Sequence, residues 1–308
     1  MKSWSPNAQG AAFMMLAMAG YVLNDALMKL VLEKLPFFQS LFIRGIFASI
    51  FLLALCWHMR VISQAIVSRL FKDRNVRLRV VAEVGGTYFF LTALSHMPIA
   101  NVTAVLQILP LTVTLMAAWL LGEKVGLPRY LAIFAGFAGV VLILRPGTSE
   151  FDVYAIYALI AVAFITLRDL VTRRMDVAIP TLPVSLLTAI AIMGFGGVGM
   201  LFQPTRLPSA GEVALLAAAA GILNIGYIFS ISTMRVGDVS FVSPFRYSIL
   251  IFALIIGFFL FGDVPDLLAV IGSIVVVASG LFAFYRERLV ARRREISAAS
   301  NRASSRNH

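Results

Sequence analysis

Ten blocks of about 19 to 23 apolar residues recur along the chain, separated by short polar stretches, and nothing else in the sequence constrains the fold as strongly. A membrane-spanning helix needs about 20 predominantly apolar residues. The blocks cover about 10 to 32, 36 to 57, 78 to 96, 99 to 121, 127 to 145, 152 to 172, 181 to 202, 210 to 233, 239 to 261 and 265 to 285. Of the 308 residues, 60% are hydrophobic and 13% charged. Soluble domains average roughly half and a quarter, and a soluble core of this size cannot hide the excess. The expected fold class is an all-α integral membrane protein of ten transmembrane helices.

Several connections are short and carry turn formers, among them Pro146-Gly147, Pro180 and Pro204, so sequential helices run antiparallel. Positively charged loops stay cytoplasmic. With the N-terminus inside, the inner side collects Lys2, the six basic residues from Arg60 to Arg79, Lys124, Arg129, Arg173, Arg174, Arg235 and seven arginines from Arg286 onward, 19 in all. The outer side has three: Lys34, Arg145 and Arg206. Both termini are therefore expected in the cytoplasm, the first apolar block being a retained helix rather than a cleaved leader. The net charge of +11 is explained by these loops and the tail, which excludes nucleic acid as the natural partner and leaves anionic lipid as one. The tail from 286 to 308, basic and then Ser/Asn-rich, reads as disordered. The lone Cys56 offers neither a disulfide nor a thiolate metal site.

The chain also repeats itself. Asn24 to Pro36 matches Arg168 to Pro180, with Asp25 over Asp169, Lys29 over Arg173 and Pro36 over Pro180. LLGEK ending at Lys124 matches LFGDV ending at Val264, and Met97 corresponds to Met234. The expectation is two five-helix units, 1–147 and 148–285. Five is odd, so the second unit enters the membrane from the opposite face. Inverted repeats of this kind build alternating-access carriers with a site near the midplane.

Ala100 to Gly147 resembles the fourth and fifth helices of the EamA-type drug/metabolite transporters, and the resemblance extends over the chain up to Tyr285. Ser243 to Asp263, SPFRYSILIFALIIGFFLFGD, is similar to the branch that includes S-adenosylmethionine uptake carriers, as is the Asn24-Asp25 pair. Riboflavin importers share the broad family. The resemblance implies a bacterial inner-membrane secondary transporter of a small organic metabolite, leaning to uptake of a vitamin- or nucleoside-like solute, with export of amino acids or drugs as the alternative. It implies no cofactor.

Ionisable side chains inside a membrane are costly and need a partner or a wet cavity. Asp25 and Lys29 lie four apart on one helix face, as do Asp169 and Arg173, and each pair is able to neutralise itself. Arg44 and Arg246 lie too deep to be interface anchors. Arg246 is the favoured solute contact, because Pro244 removes a backbone donor and opens the helix nearby, and Tyr247 adds a stacking surface. For Arg44, an ion pair with Asp25 or Glu83 is the alternative. Glu83 reads either as a snorkelling partner of Arg79 or as a proton-binding carboxylate, a role for which Asp25 competes. Arg168 completes the charge network. Gln107, Asn224, Tyr88, Tyr227 and Trp119 are uncharged candidates for lining a cavity, while Gly136, Gly139, Gly194, Gly196, Gly197 and Gly199 permit close helix approach.

The enzyme motifs HExxH and GxSxG do not occur, and His58, His96 and His308 are dispersed. Nor does the nucleotide-binding GxxxxGK[ST], so a gradient has to drive the expected transport.

Overall fold

The computed structural model describes residues 5–121, 126–146, 153–176 and 178–304, and every regular element among them is helical. Helix α1 (Pro6–Leu32) starts on the Ser5 side chain, which accepts from the Ala8 amide, with Pro6 preorganised in its first turn. α2 (Phe37–His58) follows Pro36. A short α3 (Gln64–Lys72) lies before α4 (Arg74–His96), whose N-terminus is capped by Asp73 accepting from Asn75 and Val76.

The fourth apolar block is interrupted. α5 (Ile99–Leu106) gives way at Gln107 and Ile108 to α6 (Leu109–Leu121), because Pro110 has no amide to return to the Leu106 carbonyl. Then come α7 (Leu127–Leu144), α8 (Tyr154–Thr172), α9 (Thr181–Gly199) with a 3-10 turn at Met200–Phe202, and α10 (Ala210–Val236). Ser209 and Glu212 form a reciprocal capping box at the start of α10.

The ninth block is broken in the same manner as the fourth. α11 (Val239–Val242) passes through a 3-10 turn, Ser243–Tyr247, containing Pro244, into α12 (Ser248–Ile256), which ends in a wide π turn at Gly257–Phe261. The last helix, α13 (Leu267–Ser304), corrects one expectation. The segment after Tyr285 continues as helix to Ser304 instead of losing order. Its Arg, Ala and Glu residues are good helix formers, and the membrane segment has already supplied the nucleus.

Among the described residues nine stretches are long and apolar enough to cross a membrane, the fourth block counting as one across its break and the ninth running from Ser243 to Phe261. α4 is the remaining long helix; its first turns carry Arg74, Arg77, Arg79 and Glu83. The most extensive pairings are α1 with α10, α4 with α8, α2 with α9 and α7 with α13. The α7–α13 seam is tightest where Gly139 faces Gly272: a Cβ on Gly139 would sit 2.8 Å from the Gly272 carbonyl oxygen. Gly196 meets α2 as closely, 2.6 Å from the Phe42 nitrogen, whereas nothing lies within 4 Å of a Cβ on Gly194. Gly122, Glu123, Lys124 and Gly147, used in the repeat and turn readings, lie outside the described residues.

Candidate functional site

Between α1, α2, α4, α8, α9, α10 and the broken ninth block lies a cavity of about 520 Å3. Seven residues singled out from sequence converge on it: Arg44, Glu83, Arg168, Asp169, Asn224, Tyr227 and Arg246. Helix counting fixes its depth. Arg79 is five residues into α4 and Thr172 is the last residue of α8, so the cavity reaches the face bearing the Arg60–Arg79 cluster. Its deep end is marked by Arg44 and Ile192, near the middle of α2 and α9.

Beyond that depth the space is filled by aromatic rings. Phe37 and Phe38 of α2, Tyr88 of α4 and Phe195 of α9 interlock, with centroids 5.5 Å apart for Phe37–Tyr88, 5.6 Å for Phe38–Phe195 and 5.9 Å for Tyr88–Phe195. Outside them the connection from α9 to α10 is fastened across the starts of α1's successor and the end of α1. Gln39 donates to the Arg206 carbonyl at 2.5 Å and accepts from its amide at 3.2 Å; the Phe38 amide donates to Gln203 at 3.1 Å. Arg206 also pairs with Glu212 and donates to the Lys34 carbonyl. The cavity is thus open toward one face and shut toward the other.

One network holds the ionisable groups. Arg168 donates to Glu83 at 3.0 Å and lies 2.8 Å from its neighbour Asp169, while Arg79 stands 3.8 Å from the other Glu83 oxygen and donates to Thr172 and Thr188. Glu83 therefore serves two arginines at once, which neither single-partner reading anticipated. Asp169 turns to Arg168 rather than to Arg173. On α1, Asp25 accepts from Asn24 at 2.9 Å, and Lys29 reaches away to the Met97 carbonyl at 2.5 Å and over the Phe261 ring. The two groups expected to neutralise each other thus have separate partners, because helix packing offers Lys29 a carbonyl at the α4–α5 turn. Neither lines the main cavity, although Asp25 and Glu83 both act on Arg44 electrostatically.

Four other candidates lie elsewhere. Trp119 is 78% exposed on the outer surface of α6. Gln107 is buried at the break between α5 and α6, donating back to the Thr103 carbonyl. Tyr88 belongs to the aromatic plug, and Tyr247 turns away from the cavity, its hydroxyl packed against Gly280 of α13. Arg79, Tyr21 and Thr188 line the cavity without having been singled out. Arg79 was absorbed into the loop charge count, and a lone Tyr or Thr in an apolar helix carries no periodic signal.

A second cavity of about 370 Å3 adjoins the first, sharing Asp169, Thr172 and Arg246 with it and adding Arg129, Arg173 and Thr114. Among the described residues, no group of three or more His, Cys, Asp or Glu side chains is placed to hold a metal.

Comparison with known proteins gives this architecture a lineage. The model of the EamA-like transporter family matches residues 8–145. The riboflavin transporter of Vibrio cholerae is 30% identical over 210 residues, 67% of this chain and 69% of that protein. The chain belongs to the EamA-like transporter family. As a member of the drug/metabolite transporter superfamily it is a multi-pass membrane transporter of a small molecule. This EamA transporter is also 25% identical over 280 residues to the S-adenosylmethionine uptake transporter of Rickettsia prowazekii, covering 91% of this chain and 93% of that one. It is 25% identical over 281 residues to the pseudopaline exporter of Pseudomonas aeruginosa, covering 88% and 94%. A crystal structure of a protein 18% identical superposes with a TM-score of 0.60 over 89% of this chain and 97% of the other, a likeness in fold alone.

Proposed function

We propose that this EamA transporter is a bacterial inner-membrane secondary carrier working by alternating access, with ten spanning helices in two inverted five-helix repeats and both termini in the cytoplasm. α4 is the tenth span, its charged N-terminal turns lying at the cytoplasmic face and its Glu83 turned into the cavity. The observation that carries the reading is the cavity itself. It draws ionisable walls from both halves of the chain, opens to one face and is closed from the other by the aromatic plug and the Arg206 latch.

The helix pairings support the inverted repeat. If each spanning helix is exchanged for the one five places along, the α1–α10 pairing becomes the α8–α4 pairing, α2–α9 returns to itself, and so does α7–α13. Both broken blocks, each carrying a proline, correspond under the same exchange. The open side coincides with the basic loops, so the conformation is inward-facing.

The relatives support a reading of substrate and direction. One named relative is an uptake transporter of S-adenosylmethionine, a sulfonium nucleoside, and another a transporter of the vitamin riboflavin; the reading is uptake of a metabolite of that size, with Arg246 among its contacts. A cavity of about 520 Å3 lies within the usual range of small-molecule sites, roughly 300 to 1,000 Å3. The pseudopaline exporter, matched over nearly the whole chain, favours export as the second reading. The test is uptake of labelled S-adenosylmethionine and riboflavin into liposomes holding the purified protein, with and without a pH gradient, beside Arg246→Ala. Saturable uptake lost in the variant supports the reading, and its pH dependence identifies proton coupling. Efflux from preloaded vesicles without uptake would replace import by export.

A further inference from the structure

The carboxylates of the main cavity are already engaged: Glu83 faces Arg168 and Arg79, and Asp169 faces Arg168. Two guanidinium groups in the same lining are left over. Arg246 makes no hydrogen bond or ion pair among the described residues, and Arg44 makes none either, being acted on only through space by Asp25 and Glu83. Counting Arg44, Arg79, Arg168 and Arg246 against Glu83, Asp169 and the more distant Asp25, positive charge remains in excess. The adjoining cavity strengthens the imbalance. It is lined by Arg173 and Arg246 beside Asp169, which already faces Arg168, and Arg246 stands where the two cavities meet. A buried guanidinium without a partner, as Arg44 is, is expensive inside a membrane protein and is kept where a ligand completes it, while Arg246 is exposed and lines both cavities. Low-dielectric walls focus the field of such charges on whatever enters.

We propose that the solute carries an anionic group, a carboxylate or a phosphate, held by Arg246 with Arg44 in the same cavity and reached from the basic face past Arg173 and Arg129. The proposal rests on the carrier reading and narrows it. The planar guanidinium donates in parallel to two oxygens of one carboxylate or phosphate, which Lys does not. Of the solutes named for the relatives, S-adenosylmethionine has a carboxylate, whereas riboflavin has no anionic group at neutral pH.

The experiment is a binding panel on purified protein in nanodiscs, built from pairs that differ by one anionic group. The pairs are S-adenosylmethionine and its decarboxylated form, flavin mononucleotide and riboflavin, and glucose 6-phosphate and glucose, with succinate, citrate and glutamate as simple carboxylates. In at least one pair the member that carries the extra carboxylate or phosphate is expected to bind about tenfold or more tightly than the member without it, or one of the simple carboxylates to bind about tenfold more tightly than glucose. Arg246→Gln should erase that preference, and Arg246→Lys should restore only part of it. The carboxylate and phosphate members separate the two anion types. A member without the carboxylate or phosphate binding as well as its partner overturns the proposal. So does silence from every anion, or a preference that survives both Arg246→Gln and Arg44→Gln. Should Arg246→Gln not fold, Arg246→Lys and Arg44→Gln decide the matter. Uptake of the bound compound into proteoliposomes tests the carrier reading separately. Transport without anion preference sinks this proposal alone, and anion binding without transport sinks the carrier reading alone.

Discussion

Weakening the latch on the closed face should open it. Gln39 is only 5% exposed, and its side-chain amide both donates to and accepts from the Arg206 backbone, tying the start of α2 to the connection before α10. Opening the cavity to that face requires those elements to part, so Gln39→Ala removes two hydrogen bonds from the closed state and none from an open one. At about 0.5 to 1 kcal/mol net for each, the closed state loses about 1 to 2 kcal/mol. That is roughly a five- to thirtyfold rise in the ratio of open to closed molecules. The assay uses a Cys56→Ser background with a single cysteine at Ile192, at the deep end of the cavity, in right-side-out vesicles. An impermeant maleimide added outside reads the open population as a labelling rate. Gln39→Ala should raise the rate several-fold, and Gln203→Ala, which removes the bond to the Phe38 amide, should raise it less. An unchanged or slower rate in Gln39→Ala would refute the assignment of these bonds to the gate.

Three further outcomes are expected. Glu83→Gln leaves Arg168 with only Asp169 and Arg79 without its carboxylate, at a cost of about 1 to 2 kcal/mol because the site is partly wet. Its melting midpoint in detergent should fall by about 1.5 to 3 °C, and an unchanged midpoint would remove Glu83 from the network. Gly139→Leu forces a side chain into the Gly272 backbone and should destabilise the fold by about 1 to 3 kcal/mol, read by thermal unfolding, whereas Gly194→Leu, with open space around it, should not. Trp119→Ala, on the exposed surface of α6, should leave the transport rate of whichever solute is identified within about twofold, since its ring touches no part of the cavity.

The fold was largely legible because bilayer thickness and the absence of water impose block lengths that sequence displays directly. The broken helices were legible in part, since Pro110 and Pro244 are visible punctuation, but the π turn at Gly257–Phe261 and the helical course of α13 to Ser304 depend on packing and nucleation that composition does not show. Among the site residues, depth along a helix proved readable and direction around it did not. Tyr247 immediately follows Arg246, yet in the tight 3-10 turn one side chain enters the cavities and the other packs on Gly280. Trp119 and Gln107 fall within spans, but an apolar helix facing lipid on one side and protein on the other has no polar stripe to distinguish the two.

Charge pairing was the least readable feature, and the reason bears on mechanism. An i to i+4 spacing brings Asp25 near Lys29 and Asp169 near Arg173, but a partner four residues away on the same helix holds no two helices together. Lys29 is spent on a contact between helices instead, while Asp25 turns to Asn24 and Asp169 to Arg168, each its immediate neighbour. Lys29 joins α1 to the α4–α5 turn, and Arg168 joins α8 to α4 through Glu83. Such contacts cross between the two proposed repeats or between a helix and a neighbouring connection, which are the boundaries that must slide if the cavity is to face each side in turn. Arg246 and Arg44, which have no such contact to break, are the groups we propose for the solute.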